Sequence, residues 1–344
     1  MLILLSIFLL ITLYAIGYVA RHRKEGYFDL HPFDVQTSTC LKGLLALGII
    51  LGHLQIFCFR KYGQSTWLTE QLIPLSQVGV FFFISGYGLT ASFIRKGEQY
   101  LQGFLSKRLI RLFVPLVLAT LVYIAISNIL NISKVGGGIL ITGDTPLPFS
   151  WFCYVILLYY ISFYIIAKRS KRFGSVIIGL CLLTFLLYIA LGVLLEWGNY
   201  WYSSNVGFNL GMIICYYEDF VRKMVARYTL LALGIVALLI PCIYLGSHSL
   251  FRMEVMACGF SLIFLFLIYT LGFWQGRVIR WIGKFSYEIY LTHPFLIYYV
   301  YPYWPKHDSL GNISFTIVLF LGTCTLAFVL KQISNRLISS ISNK

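Results

Sequence analysis

The sequence predicts an all-α polytopic membrane protein with about 11 transmembrane helices. Only 11% of its 344 residues are charged and 59% are hydrophobic, whereas about a quarter of the residues in a soluble domain are charged. Apolar segments of roughly 20 residues, the length needed to cross a hydrocarbon core, recur along the whole chain. Basic residues also alternate between the loops on the two sides.

Eleven predicted crossings are joined mostly by short loops. The seventh is short and contains several polar residues, but removing it would destroy the alternation of charged loops further along the chain. The segments cover approximately residues 2–20, 40–59, 75–95, 109–130, 150–167, 173–195, 202–217, 228–245, 253–273, 279–300 and 313–333.

The net charge of +15 follows the positive-inside rule. If the N-terminus lies outside and every segment crosses, 22 of the 27 Lys and Arg residues fall on the inner side and 5 on the outer side. This asymmetry predicts a cytosolic C-terminus, and we expect no nucleic-acid partner. The first segment lacks a basic region before its apolar run and is followed by RHRK, so we predict an uncleaved anchor.

Two histidines lie inside apolar segments, where an ionisable side chain is costly. His53 ends the run KGLLALGIILGH, and His293 lies in WIGKFSYEIYLTHPF. An ionisable residue at membrane depth indicates a functional site; the alternative is a histidine that only hydrogen-bonds a neighbouring helix. Lys42 precedes His53 by eleven residues, which places both on one helix face about 16 Å apart.

His293 is predicted to reach a similar depth on another helix. It lies twelve residues after Trp281, or about 18 Å along a helix. Ser286, Tyr290 and His293 fall at i, i+4 and i+7, and therefore share one face. Pro294 follows at once and is expected to kink the helix, which frees backbone carbonyls.

The inner surface after the third segment carries Arg108 and Arg111 on one helix face. Arginine offers a planar fork suited to phosphate; the alternative is the positive-inside rule alone. With Lys42 at the same level, these residues predict a basic cup for a polyanionic cytosolic ligand. We expect Glu288 to form a structural ion pair with Lys284 rather than to act as a catalytic acid.

The third segment places Ser85, Gly86 and Gly88 at mid-membrane. These small residues either allow close helix packing or mark a locally irregular helix that lines a cavity, and the residues alone do not decide between the two. The eight cysteines contain no CxxC pair, so we expect neither a disulfide framework nor a metal site.

Four motifs, in their order along the chain, resemble the integral-membrane acyltransferase 3 family. The family has a basic residue, ten residues and a His, which corresponds to Lys42 and His53, with Lys where Arg is usual. Its FFxxSGF motif resembles FFFISGYG at 81–88, where Tyr87 replaces Phe.

The two later motifs extend this resemblance towards the C-terminus. The family's Arg-x-x-Arg matches Arg108 and Arg111, and its SYxxYLxH matches SYEIYLTH at 286–293. The resemblance covers about residues 38–335 of the chain.

The resemblance implies that residues 38–344 form a membrane acyltransferase domain. Because the family core has ten crossings, residues 1–37 would add a transmembrane anchor and a cytosolic loop. The implied co-substrate is a cytosolic acyl-CoA, most commonly acetyl-CoA, without a metal. The implied acceptor is a hydroxyl of a cell-envelope glycan or glycolipid, which places the protein in the bilayer of the plasma membrane, the inner membrane in bacteria.

The resemblance also implies that His53 is catalytic and that both arginines are essential. A neutral imidazole suits a general base that activates the acceptor hydroxyl, although a transient acyl-histidine uses the same residue. His293 or Tyr290 would orient His53 or stabilise the developing oxyanion. The expected donor-binding residues are Lys42, Ser85, Arg108 and Arg111.

Three other functions remain open at this stage. A transporter or flippase of a lipid-linked glycan explains mid-membrane polar groups, but not the basic pair near one histidine. Another membrane acyltransferase class carries a functional Asn before its His, and no Asn neighbours His53 or His293. A structural scaffold is the last alternative.

Overall fold

In a computed structural model, every regular element of the described residues is a helix. The described residues are 34–63, 73–130, 144–170, 172, 174–227, 254, 258–259, 261–262 and 276–342. The α-helices are α1 Val35–Leu54, α2 Ile73–Lys96, α3 Phe104–Ile129, α4 Trp151–Ser170, α5 Ser175–Leu194, α6 Val206–Tyr216, α7 Glu218–Arg227, α8 Arg277–Gly283, α9 Ser286–Tyr299 and α10 Ser309–Ser342.

The helical membrane architecture is confirmed. Within the described residues, 6 helices are long and apolar enough to cross a membrane, and they correspond to the second to sixth and the eleventh predicted segments. Their bounds are Val35–Tyr62, Gln77–Leu101, Phe104–Ile129, Trp151–Ser170, Ser175–Leu194 and Ser309–Ile341.

Other predicted segments lie wholly or largely outside the described residues. These are the first segment at 2–20, with most of the predicted anchor and loop at 1–37, and the eighth at 228–245. The ninth segment, 253–273, is described at only five positions.

The seventh predicted segment contains one short helix and the tenth divides into two, so neither is a single continuous helix. Helix α6 has 11 residues, or about 17 Å at 1.5 Å per residue, which is too short to cross a ~30 Å hydrocarbon core. Helix α7 then begins at Glu218, where an acidic residue ends the apolar stretch. The tenth segment divides into α8 and α9, with Lys284 and Phe285 between them.

Helices α2 and α6 pack closely through glycines. A Cβ atom on Gly86 would lie 2.0 Å from the carbonyl oxygen of Phe208, and one on Gly207 would lie 2.2 Å from that of Gly79. Helix α2 continues as a regular helix from Ile73 to Lys96, so the close-packing interpretation is confirmed for Gly86, whereas Ser85 on the same helix lines a cavity.

The contacts also give the relative directions of the helices. Gly43 of α1 faces Gly283 of α8, and ten residues further along each chain segment His53 contacts His293. Helix α1 therefore runs parallel to α8 and α9. This agrees with the predicted alternation, in which the second and tenth segments cross in the same direction.

Helix α9 lies at the centre of the bundle, where most of its residues are buried. The hydroxyl of Tyr287 donates to the carbonyl of Leu112 in α3 at 2.7 Å. The hydroxyl of Thr292 is shared between the carbonyl of Glu288 in its own helix at 2.9 Å and the carbonyl of Thr323 in α10 at 3.3 Å. These bonds attach α9 to its neighbours, so its buried polar side chains have fixed positions.

Candidate active site

The two histidines predicted to reach the same depth are in direct contact. His53 Nδ1 and His293 Nε2 lie 2.7 Å apart, and the ring planes differ by only 14°. His293 is fully buried, whereas His53 keeps part of its surface accessible. Helices α1 and α9, from well-separated parts of the chain, therefore bring two histidines together as one pair.

The hydrogen-bond network assigns the tautomers of this pair. A carbonyl oxygen only accepts, and the carbonyl of Ile289 lies 3.3 Å from His293 Nδ1, so that nitrogen carries the proton. In a neutral imidazole His293 Nε2 is then an acceptor, and His53 Nδ1–H donates to it. The remaining nitrogen of His53, Nε2, then carries a lone pair, and no hydrogen bond to it is formed by the residues that the structure describes.

Pro294 contributes to this arrangement. Its nitrogen has no hydrogen, so the carbonyl of Tyr290 loses its regular helical donor. The carbonyl of Ile289, one residue before this freed carbonyl, accepts from the His293 ring at 3.3 Å. Helix α9 continues through Pro294 to Tyr299, so the proline frees a carbonyl, as predicted, without ending the helix.

The ring of Phe149 covers both imidazoles. Its centroid is 4.0 Å from that of His53 and 5.4 Å from that of His293, with interplanar angles of 23° and 13°. The phenyl ring is thus nearly parallel to both histidine rings. Phe57 and Tyr298 also contact Phe149, with ring centroids at 4.7 Å and 5.8 Å.

Tyr290 contacts the pair mainly through Phe149. Its hydroxyl donates to the backbone carbonyl of Phe149, and its ring centroid is 5.9 Å from that of His293. The predicted common face of Ser286, Tyr290 and His293 is confirmed by these contacts and by the cavity below. In this conformation the hydroxyl of Tyr290 is engaged by a carbonyl rather than directed at His53.

A cavity of about 220 Å³ lies below the histidine pair. It joins residues from several of the predicted motifs, namely Lys42, Ser85, Ser286 and Tyr290. The rest of its wall is mostly apolar or aromatic and includes Ile49, Val78, Phe81, Leu112, Phe152, Ile156, Tyr160 and Tyr287. His53 and His293 are not among the lining residues; they lie beyond Tyr290, at the end away from Lys42.

The two arginines occupy different positions relative to this cavity. The Arg108 guanidinium donates to the hydroxyl of Tyr100 at 3.0 Å and lies 5.3 Å from the ring centroid of Tyr160, a lining residue. Lys42 lines the cavity itself, so two basic groups adjoin the cavity, one directly and one through the Tyr160 ring. Arg111 is exposed and does not line the cavity.

Glu288 forms an ion pair, but its partner is not the predicted one. The Glu288 carboxylate lies 3.4 Å from Nζ of Lys331 in α10, and Lys331 also donates to the backbone carbonyl of Lys284. Lys284 is therefore near the pair through its backbone rather than its charge. Among the described residues, no group of His, Cys, Asp or Glu side chains forms a candidate metal site.

Phe149 and the aromatic partners of Arg108 were not identified from the sequence. Phe149 belongs to a turn without periodicity, so no pattern assigned a direction to its side chain. Tyr100 and Tyr160 lie on separate elements, and only the folded structure brings them to Arg108.

The chain matches a protein-family model over most of its length. The model of the acyltransferase 3 family, described as an acyltransferase domain, matches residues 36–332. The match includes every histidine and arginine of the candidate site. No curated protein and no solved structure matches the chain.

Proposed function

Because the chain belongs to the acyltransferase 3 family, we propose that it transfers an acyl group, most commonly acetyl, from cytosolic acyl-CoA to a hydroxyl of a cell-envelope glycan or glycolipid. The observation that carries this proposal is the 2.7 Å contact between His53 Nδ1 and His293 Nε2, which leaves His53 Nε2 as the unprotonated nitrogen. This nitrogen ends a chain of hydrogen bonds that runs from a carbonyl through His293. An unprotonated imidazole nitrogen is the most common general base for activating a hydroxyl.

The donor enters from the end of the cavity at Lys42. Phosphate groups of coenzyme A bind Lys42, Arg108 and Arg111, because charge-assisted hydrogen bonds to phosphate are strong. The pantetheine arm then follows the largely apolar cavity past Ser85 to Tyr290, and the thioester comes to lie beside His53.

The acceptor approaches His53 from the side opposite the cavity. His53 Nε2 removes the proton of the acceptor hydroxyl while the hydroxyl oxygen attacks the thioester carbonyl carbon. The C–S bond of the tetrahedral intermediate then breaks, and the leaving thiolate takes the proton from His53 Nε2–H. Products are an ester and free coenzyme A, and His53 returns to its starting tautomer.

His293 supports this cycle without touching the substrate. When His53 accepts a proton it becomes a cation, and its Nδ1–H bond to His293 becomes charge-assisted. Charge-assisted bonds are roughly twice as strong as neutral ones. The interaction therefore grows as the hydroxyl proton is transferred, which is the condition for catalysis rather than mere binding.

Thioester consumption tests this function against transport. Purified protein in proteoliposomes is given acetyl-CoA on the side of the basic residues and a glycan acceptor on the other side, and free thiol is measured. The proposal expects thiol release that depends on both the protein and the acceptor. A protein that moves a lipid-linked glycan across the membrane without releasing thiol would be a transporter, and the proposal would be wrong.

A further inference from the structure

Phe149 lies in a turn that does not favour phenylalanine. The backbone N–H of Ser150 donates to the carbonyl of Leu147 at 3.2 Å, and the Ser150 hydroxyl donates to the same carbonyl at 2.7 Å. Pro148 occupies the second position of this turn, and Phe149, at the third, has a φ of 65°. Proline followed by a residue with positive φ is the type II pattern, in which the third residue is normally glycine.

A bulky side chain in this left-handed conformation has an energetic cost, because its Cβ crowds the backbone. Such residues persist where the surrounding structure holds them, and they concentrate at functional sites. Here the turn bonds and the Tyr290 hydroxyl on the Phe149 carbonyl hold the backbone. The result is that the phenyl ring lies over both imidazoles.

We propose that Phe149 is a positioning residue for the histidine pair, and that Tyr290 acts through it. The phenyl ring packs against one face of each imidazole and keeps the two rings nearly coplanar, so that the His53–His293 hydrogen bond stays linear. This inference rests on the proposed function of His53.

A simpler explanation is that Phe149 only fills apolar space. The two explanations differ in what they require of the side chain. Space filling is satisfied by leucine, an apolar side chain of nearly similar bulk. Stacking on two imidazole rings requires a flat aromatic ring. Tyrosine or tryptophan could therefore take over the role of Phe149, but leucine could not.

The first test compares Phe149→Leu, Phe149→Ala and Phe149→Tyr in the proteoliposome assay. We expect kcat to fall about 10-fold to 100-fold for Leu and Ala, as for other losses of orientation. KM for the acyl donor should stay within about twofold, because the donor cavity is unchanged, and the Tyr variant should recover most of the lost kcat. Phe295→Leu is the matched control, since Phe295 packs on Tyr123 and Tyr299 rather than on the histidines.

The second test measures whether Tyr290 acts through Phe149. We combine Tyr290→Phe, which removes the hydroxyl bonded to the Phe149 carbonyl, with Phe149→Ala. If Tyr290 acts only by holding Phe149, the double variant loses no more kcat than Phe149→Ala alone, because residues acting through one contact are non-additive. If Tyr290 stabilises the oxyanion directly, the two losses multiply.

A third variant separates the contribution of the phenyl ring from the cost of the backbone conformation in the turn. Phe149→Gly relieves the backbone cost of positive φ and removes the ring, whereas Phe149→Ala removes the ring and keeps the cost. We expect the glycine variant to be the more thermostable of the two while both have similarly low kcat. This comparison remains informative if Phe149→Ala folds poorly.

The inference is overturned if Phe149→Leu keeps kcat within about twofold of the unchanged protein, if tyrosine restores no more than alanine does, or if the losses at positions 149 and 290 multiply. Its failure differs from failure of the proposed function. If His53→Gln abolishes transfer while Phe149→Leu does not, only the positioning role is wrong. If His53→Gln retains transfer, the proposed base is wrong as well.

Discussion

The bond between His53 and His293 differs from a histidine–carboxylate pair in one physical respect. His293 is neutral, so it offers His53 an acceptor without a negative charge, and the hydrogen-bond chain ends on the carbonyl of Ile289. The bond therefore orients the protonated ring of His53, but it stabilises the positive charge of that ring less than a carboxylate would. Hydrogen bonds to charged groups contribute about 1.5–3 kcal/mol, and this range limits what His293 supplies.

That limit gives a prediction for His293. In His293→Leu no acceptor remains for His53 Nδ1–H, and we expect kcat to fall about 10-fold to 100-fold. In His293→Gln the amide oxygen can accept from His53, so this variant should retain more activity than the leucine variant. Acyl transfer by the two purified proteins at equal thermal stability provides the measurement. Equal rates in both would show that the bond to His53 does not matter.

A second prediction concerns the donor phosphates. Because Arg108 adjoins the cavity through Tyr160 and Arg111 lies one turn further on the same helix, we expect the Arg108→Ala, Arg111→Ala double variant to bind coenzyme A at least about 10-fold more weakly. Isothermal titration in detergent measures this affinity. Arg336→Ala, which removes an exposed arginine of α10, is the control. Unchanged affinity in a folded double variant would remove both residues from the donor site.

At the level of elements, the glycines of α2 provide a matched pair. An added Cβ at Gly86 meets a backbone carbonyl of α6 at 2.0 Å, whereas one at Gly88 meets nothing within 4 Å. We expect Gly86→Ala to lower stability by about 1–3 kcal/mol through overpacking. Gly88→Ala should be neutral or stabilising, because alanine has the higher helix propensity. Thermal unfolding of both variants measures the two changes in stability. Similar changes at both positions would contradict the observed α2–α6 packing.

Helical periodicity explains why much of the site could be predicted from the sequence. Lys42 and His53, and likewise Ser286, Tyr290 and His293, lie on regular helices, where spacing determines face and depth. The same periodicity did not reveal the break before Ser286, because Lys284 and Phe285 do not interrupt the apolar pattern strongly.

Contacts between distant segments could not be read in this way. Glu288 pairs with Lys331, 43 residues further along the chain, although Lys284 is the nearer charge in sequence. Phe149 reaches the histidines through a turn with positive φ, and backbone conformation of that kind leaves no periodic signal in the residues around it.

For the whole molecule, the helix directions agree with an alternating topology. Helices α2 and α6 run parallel, since Gly79 meets Gly207 and Phe83 meets Gly211, as expected if the third and seventh segments enter from the same side. Parallel packing of α1 with α9 places both histidines at one level between the two ends of the bundle. The donor end at Lys42 is therefore separated by most of a helix from the aromatic residues beyond Phe149.

The absolute orientation follows from the charge asymmetry and gives the next prediction. We expect a single cysteine introduced at Ser170, the last residue of α4, to react with a membrane-impermeant maleimide only when the cytosolic face is accessible. A cysteine at Lys61 should react from the outside. Both variants are made in a background without other reactive cysteines. External labelling at position 170 would reverse the orientation and with it the side from which the donor enters.

The most direct test of the account is the rate of acyl transfer by His53→Gln. Glutamine keeps much of the size and hydrogen-bonding capacity of histidine but removes the base. If His53 Nε2 takes the hydroxyl proton, the chemical rate should fall about 10²-fold to 10⁴-fold with donor binding retained. If His53 only packs against a neighbouring helix, the change should cost less than about 2 kcal/mol of stability and leave the rate intact. Near-normal turnover by a folded His53→Gln protein would contradict the account.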